Sequence, residues 1–374
     1  MPISNSLGVL VAGLIGVTFG LFTPIQKTLS FDLETKQVKS TGIGYHADLR
    51  NSHLLHYNLY MSENRDRTLF LITLMFSERK VPVRVVIDTG SSVLWIFEKF
   101  CVDSLEQQFC GPKIGQISYG YLDGGISGVV IDTDVYLNDK VANKECPVML
   151  TQSAENSIGE PILGLGPRSS EYPTFLEKLK ENGLIDKRVF TIDILNKKLT
   201  FGGDKKAANL SRVPMNSAST YQITVDRISL LGKSLSVIPI DGIIDSGNTL
   251  IALPMYLKSS FITILSQSGL DCAIEPEENP RFSHMICNLT FKEIPGSLDF
   301  YIGGQKYSIE KSNLISECSL GFPRHKCLTV VEFHEFSYGV ILGQPFLNQY
   351  RTTFDLDDRN ITFEPASMTT PESL

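Results

Sequence analysis

The sequence carries one short pattern twice: an apolar run ending in Asp, then a hydroxyl residue and Gly, then a second apolar run. In the first half VVID leads into Asp88-Thr89-Gly90 and VLWIF follows, and in the second half GIID leads into Asp245-Ser246-Gly247 and LIALP follows. A single Asp-hydroxyl-Gly tripeptide is an ordinary turn. Two of them, each flanked by strand-like runs, confine the chain to a pair of similar β-rich halves, each presenting a carboxylate on a turn between buried strands. Further along each half an apolar pair before Gly recurs, as Ile162-Leu163-Gly164 and Ile341-Leu342-Gly343.

The rest of the chain agrees with that division. From Leu69 onward short β-rich runs alternate with turn residues: LFLITLMF, VPVRVVID, GQISYG, SGVVIDTDVYL and RVFTIDIL, then YQITVDRISLLG, SLDFYIGGQKYSI and TTFDLDDRNITFEP. One helix is expected at Pro173 to Asn182, with Phe175, Leu176 and Leu179 on one face and Gly183 as its stop. The polar stretch from Gly202 to Arg212 is a reasonable link between the halves. At 374 residues the chain is long enough for two lobes of comparable mass. A net charge of -7 without basic blocks makes nucleic acid an improbable partner.

The uncharged run Leu7 to Phe22 has the length of a signal-peptide core, so residues 1–22 read as a signal, with an uncleaved anchor as the alternative. Export fits the seven cysteines. Proximity suggests the pairs Cys101 with Cys110, Cys272 with Cys287, and Cys318 with Cys327, leaving Cys146 over, although sequence alone leaves the connectivity open. Sequons at Asn209, Asn288 and Asn360 are glycosylation candidates. No His/Cys array has zinc spacing, and neither a metal nor another cofactor is expected. Residues 23–68 lack periodicity and read as an activation segment or N-terminal extension, whose Lys36 or Lys39 could pair with the Asp88 and Asp245 carboxylates in a latent form. His46, His53 and His56 in that segment read as surface or core-edge residues rather than ligands.

Two carboxyls so close that they cannot both ionise leave one as base and one as acid in the same pH range. Such a pair can deprotonate a water attacking a peptide carbonyl and protonate the developing oxyanion. The chain resembles the pepsin-like aspartic proteases over Leu69 to Pro365, in Asp88-Thr89-Gly90-Ser91-Ser92 with Trp95, in Asp245-Ser246-Gly247-Asn248-Thr249, and in Ile117-Ser118-Tyr119-Gly120, which is similar to the family's flap hairpin. The stretches Pro161 to Gly166 and Gly339 to Asp355 are similar to the segments that thread beneath the family's Asp loops, and Cys101 falls where the family commonly has a small disulfide loop.

The resemblance implies an all-β, bilobal pepsin-like fold: two similar β-barrel-like lobes with a few short helices and the active site in the cleft between them. It implies an N-terminal lobe at 69–204, a C-terminal lobe at 205–366 and a flexible tail at 367–374. By resemblance Asp88 and Asp245 are catalytic, Thr89 and Ser246 brace the two loops, and Ser91 hydrogen-bonds Asp88. Gly90 and Gly247 lie under the peptide, a Tyr119–Trp95 hydrogen bond sets the flap, and Gly120 offers backbone groups to the substrate.

The chain departs from the family pattern in a longer run after Gly120, in Ser77 to Pro82 before the first Asp strand, and in Gly159-Glu160-Pro161 where an aromatic is common. Asn248 stands where the family carries a hydroxyl, and its amide can reach Asp245. The expected protein is a monomeric aspartic endopeptidase acting on protein or peptide substrates at acidic pH, with apolar residues beside the scissile bond. It would be extracellular or lysosomal, without stable membrane association once the signal is cleaved. The alternative is a secreted pseudo-protease that binds peptides or a partner in the same cleft.

Overall fold

The computed structural model describes residues 29–38, 67–105, 107–121, 124–138, 140–152, 160–203, 211–274, 282–289, 294–319, 325–335 and 339–367. The signal run, Lys39, the three N-terminal histidines, the flap tip at Leu122-Asp123 and the sequon at Asn209 lie outside the described residues.

In the first half the strands are β1 (Leu29–Asp32), β2 (Glu34–Val38), β3 (Arg67–Phe76), β4 (Val81–Asp88), β5 (Leu94–Phe97), β6 (Lys113–Tyr121), β7 (Gly124–Tyr136), β8 (Ala142–Thr151) and β9 (Ile162–Gly164), then helix α1 (Phe175–Glu181), β10 (Val189–Asp193) and β11 (Lys198–Phe201). The second half runs β12 (Arg212–Pro214), β13 (Gln222–Val225), β14 (Arg227–Leu230), β15 (Lys233–Ser236), β16 (Ile240–Ile244), β17 (Ile251–Pro254), helix α2 (Lys258–Gln267), β18 (Asp271–Ile274), β19 (Phe282–Leu289), β20 (Leu298–Ile302), β21 (Gln305–Ile309), β22 (Ile315–Ser319), β23 (His325–His334), β24 (Val340–Leu342), helix α3 (Gln344–Leu347), β25 (Tyr350–Asp355) and β26 (Asn360–Pro365).

The sequence repeat becomes a repeat of topology. In the N-terminal lobe the sheet order is β2-β3-β4-β9-β5-β8-β7-β6, with β4 parallel to β9, β9 antiparallel to β5, and β5 parallel to β8. In the C-terminal lobe β16, β24, β17 and β23 repeat the same four-strand order with the same directions. β9 and β24 are buried along their whole length, which is why they read as plain apolar runs without alternation. β4 grades from half-buried at Val81 to fully buried at Val85 through Asp88, carrying the carboxylate in from the surface.

A six-stranded sheet, β1-β11-β10-β25-β26-β12, interleaves strands from both halves, and a four-stranded sheet, β15-β14-β20-β21, completes the C-terminal lobe. Aromatic rings fill the join: Phe190 stacks on Phe354 at 4.7 Å between centroids, and Tyr221 meets Phe354 at 4.5 Å. Helix α1 forms where its periodicity places it, with Phe175, Leu176 and Leu179 buried. Thr174 caps it by a reciprocal pair of bonds with Glu177, and Gly183 follows at φ 65°.

Residues 29–38, part of the segment read as an activation segment or N-terminal extension, are built into two sheets. β1 pairs with β11 and β2 with β3, so cleavage near Leu69 would strip an edge strand from each. The expected disulfides Cys101–Cys110, Cys272–Cys287 and Cys318–Cys327 all form, and Cys146 is free and buried. Two described sequons differ. Asn288 is exposed on β19, its amide donating to Asp271 Oδ2. Asn360 is 8% exposed and donates to the Asp358 carbonyl.

Candidate active site

β4 ends on Asp88, and the Asp245 loop follows directly from β16, whose last residue is Ile244. Each loop then rests on the apolar-pair strand of its own half: Asp88 is the register partner of Gly164 in β9, and Asp245 N–H donates to the Leu342 carbonyl of β24. The two loops meet through four buried hydrogen bonds. Thr89 Oγ1 donates to the Ile244 carbonyl at 2.9 Å and accepts from Ser246 N–H at 2.9 Å. Reciprocally, Ser246 Oγ donates to the Ile87 carbonyl at 2.9 Å and accepts from Thr89 N–H at 3.0 Å. Gln344 Nε2 at the start of α3 donates to the Ser246 carbonyl from below.

This clasp brings the Asp88 and Asp245 carboxyls side by side: a Cβ on Gly247 would lie 2.6 Å from Asp88 Oδ1 and 3.2 Å from Asp245 Oδ1. Gly90 N–H donates to Asp88 Oδ1 and Gly247 N–H to Asp245 Oδ1, both at 2.8 Å. Glycine is required at both places by the approach of the opposite loop. A Cβ on Gly90 would lie 2.7 Å from Asp245 Cγ, and one on Gly247 would lie 2.6 Å from Asp88 Oδ1.

Asp88 is 6% exposed. Burial pushes the Asp245 carboxyl well above the usual carboxylate range, and the neighbouring Asp88 charge pushes it further. The amides of Gly247 and Asn248 oppose that rise by stabilising the ionised form.

The two loops differ in one respect. Ser91 Oγ donates to Asp88 Oδ2 at 2.5 Å, as expected. At the matching position of the second loop Asn248 turns its side-chain oxygen to the Leu250 N–H at 2.9 Å. The expected Asn248 amide contact with Asp245 is thus corrected: Asn248 reaches that residue through its backbone N–H, while its side chain caps the following turn.

β6 and β7 form the flap hairpin, with Tyr119 opposite Ile126 and Gly120 opposite Gly125. Trp95 is 0% exposed and shares an apolar cluster with Ile126, Met149 and Ile162, against which Tyr119 packs. The Tyr119 hydroxyl accepts from Ser92 N–H at 3.3 Å and lies 3.2 Å from Ser169 Oγ, and Ser92 Oγ bonds Ser169 Oγ. Ser92 and Ser169 were not expected as site residues. Ser92 was visible as part of DTGSS, whereas Ser169 follows PILGLGPR without any local signal. Tyr221, also unanticipated, donates its buried hydroxyl to the Leu165 carbonyl across the halves. Glu160 and Pro161 lead directly into β9, and Pro161 offers its carbonyl to Val86 N–H. Among the described residues no group of three His, Cys, Asp or Glu is arranged to hold a metal ion.

Twin β lobes, each lending one carboxyl to a shared site beneath a hairpin, define the architecture of an aspartic peptidase. The profile of the family described as eukaryotic aspartyl protease matches residues 78–366. Secreted aspartic protease 1 from Candida albicans is 24% identical over 382 aligned residues, covering 93% of this chain and 92% of that protein. Probable vacuolar protease A from Arthroderma benhamiae is 27% identical over 310 residues, covering 73% of this chain and 72% of that protein. The crystal structure of an aspartic proteinase from Irpex lacteus superposes with a TM-score of 0.64 at 18% identity, over 82% of this chain and 96% of that one, and so shares the fold. The chain belongs to the eukaryotic aspartyl protease family and is a peptide-bond hydrolase of the aspartic class.

Proposed function

We propose that Asp88 and Asp245 are the catalytic dyad of an acid endopeptidase. The observation that carries the reading is the juxtaposition of two carboxyls on matching loops of the two halves, held together by the reciprocal Thr89 and Ser246 bonds. With one proton between them, the ionised carboxylate removes a proton from a water as its oxygen attacks the scissile carbonyl. The protonated partner donates to the carbonyl oxygen as negative charge develops there. Proton transfer to the amine then lets the C–N bond break.

A peptide lies extended across the cleft beneath the flap, pairing its backbone with that of the Gly120 region. Among the described residues no atom lies within 4 Å of where a Cβ on Gly120 would stand, and Gly120 itself is exposed. Phe97, Ile117 and Tyr119, which pack against the Trp95 cluster, supply apolar surface for side chains beside the scissile bond. An acidic compartment of the secretory route or the cell exterior suits a dyad that must keep one proton.

The test is cleavage of a mixed peptide library between about pH 3 and 6, where one proton per dyad is expected. Cleavage abolished in both Asp88→Asn and Asp245→Asn, with a statine-type inhibitor bound only by the unsubstituted protein, is the expected result. Cleavage that survives either substitution overturns the assignment.

A further inference from the structure

Four cysteines lie in one row across four neighbouring strands of the C-terminal lobe. β18 pairs with β19 at Cys272↔Cys287, β19 with β23 at Cys287↔Cys327, and β22 with β23 at Cys318↔Cys327. Residues directly opposite in antiparallel strands project to the same face, their Cβ atoms about 4.5–5.5 Å apart. Every sulfur in the row therefore neighbours the next.

The structure joins the outer couples, Cys272–Cys287 and Cys318–Cys327. Their Cα separations of 4.0 Å mark them as narrow pairs, without mutual backbone hydrogen bonds. A strand residue aims its N–H and C=O to one side only. Cys287 and Cys327 must then face each other as a wide, hydrogen-bonded pair, about 5.5 Å between Cα atoms. That Cα separation lies within the span a disulfide bridges, and closing the bond draws the two Cβ atoms in from about 5.5 Å toward about 4 Å. The inner sulfurs are fully buried, at 0% for Cys287 and Cys327, while Cys272 and Cys318 are partly exposed.

We propose that this row is a thiol–disulfide exchange site for a small-molecule thiol, at which two outer disulfides collapse into one inner Cys287–Cys327 bond. The incoming thiolate attacks the accessible Sγ of Cys272, forms a mixed disulfide there and expels Cys287 as a thiolate. The Cys287 thiolate, poorly solvated and beside Cys327, attacks Cys327 Sγ. The Cys287–Cys327 bond forms, the Cys318–Cys327 bond breaks, and Cys318 leaves as a thiolate that takes up a proton. A second small thiol attacks the mixed disulfide, departs as its own oxidised dimer, and leaves Cys272 as a thiol. Two small thiols are oxidised to one disulfide, and two protein disulfides become one disulfide and two thiols. Attack at Cys318 is the mirror-image route.

The exchange moves the covalent tie inward. The edge strands β18 and β22 lose their staples, while β19 and β23 gain one. β23 runs parallel to β17, which pairs with β24 beneath the Asp245 loop, so the staple stays with the strands that support the active site.

The full-length protein, under native conditions, is titrated with reduced glutathione, quenched by alkylation and mapped by mass spectrometry. The expected intermediate carries a Cys287–Cys327 bond with Cys272 and Cys318 alkylated. Cys101–Cys110, whose two residues are both buried, serves as the unreacted control. The double variant Cys272→Ser/Cys318→Ser is expected to fold with Cys287 and Cys327 oxidised to each other. Once the small thiol has left, a two-thiol intermediate that retains either outer bond overturns the proposal, as does the absence of any reduction before global unfolding. A folded double variant with two alkylatable thiols at Cys287 and Cys327 also overturns it.

Discussion

Thr89→Val isolates the contribution of the clasp between the two Asp loops. The substitution keeps the shape of the side chain and replaces its hydroxyl by a methyl group. Two buried partners are then orphaned: the Ile244 carbonyl, which accepts from Thr89 Oγ1 at 2.9 Å, and the Ser246 N–H, which donates to it at 2.9 Å. An unsatisfied buried polar group costs about 1–3 kcal/mol, so the pair costs about 2–6 kcal/mol. The added methyl returns about 0.8 kcal/mol, leaving a net loss of about 1–5 kcal/mol.

At about 2–4 °C per kcal/mol for a domain of 150–250 residues, the Tm should fall by about 2–20 °C. Activity should fall further than stability predicts, because both orphaned groups are the immediate chain neighbours of Asp245 and fix where its carboxyl points. A misplacement of about 1 Å at a reacting group costs about 100-fold in rate. The measurement is thermal or urea unfolding of Thr89→Val beside Thr89→Ser, together with kcat/KM on a peptide substrate. Thr89→Ser keeps the hydroxyl and should stay within about 1 kcal/mol of the parent. Unchanged unfolding in Thr89→Val, or a Thr89→Ser variant as unstable as Thr89→Val, would refute the reasoning.

Three further outcomes follow from the charges. Asn248→Thr supplies Asp245 with the hydroxyl donor that Ser91 gives Asp88; this favours the ionised form of Asp245, so the alkaline limb of the kcat/KM–pH profile should move to lower pH. Glu332 is fully buried, its carboxyl oxygens lack hydrogen bonds, and burial raises its pKa well above the ordinary value. Its stabilising contribution is complete below the unfolded pKa and fades as pH rises through the folded one, so Glu332→Gln should match the parent in acid and exceed it in urea midpoint at neutral pH and above. Asp357 pairs with Arg188 at 2.7 Å and Lys180 at 2.9 Å, and these partners lower its pKa to about 2. Its contribution is present above the unfolded pKa and lost as pH falls toward about 2, so Asp357→Asn should cost about 1–2 kcal/mol near pH 5, after allowance for solvent screening, and nothing below about pH 2.

Much of this molecule is written in short-range pattern. The two Asp turns, the strands that deliver them, the capped helix at Phe175 and the three disulfides each depend on residues a few positions apart, where periodicity and turn chemistry act directly. The doubling of the pattern also implied the doubled topology, since equal strand orders bury equal apolar runs. Tertiary packing alone decided which hydroxyl meets which carbonyl across the loops, because Thr89 and Ser246 stand 157 residues apart and nothing local to either names its partner. It also decided that β1 and β2 join the sheets, that Ser169 reaches Tyr119, and that Asn248 faces its own turn rather than Asp245. In the same way Cys272, Cys287, Cys318 and Cys327 stand in the sequence as two close couples, but only the strand register sets them in a single row. Residues in neighbouring strands become neighbours through sheet assembly, whatever their separation along the chain.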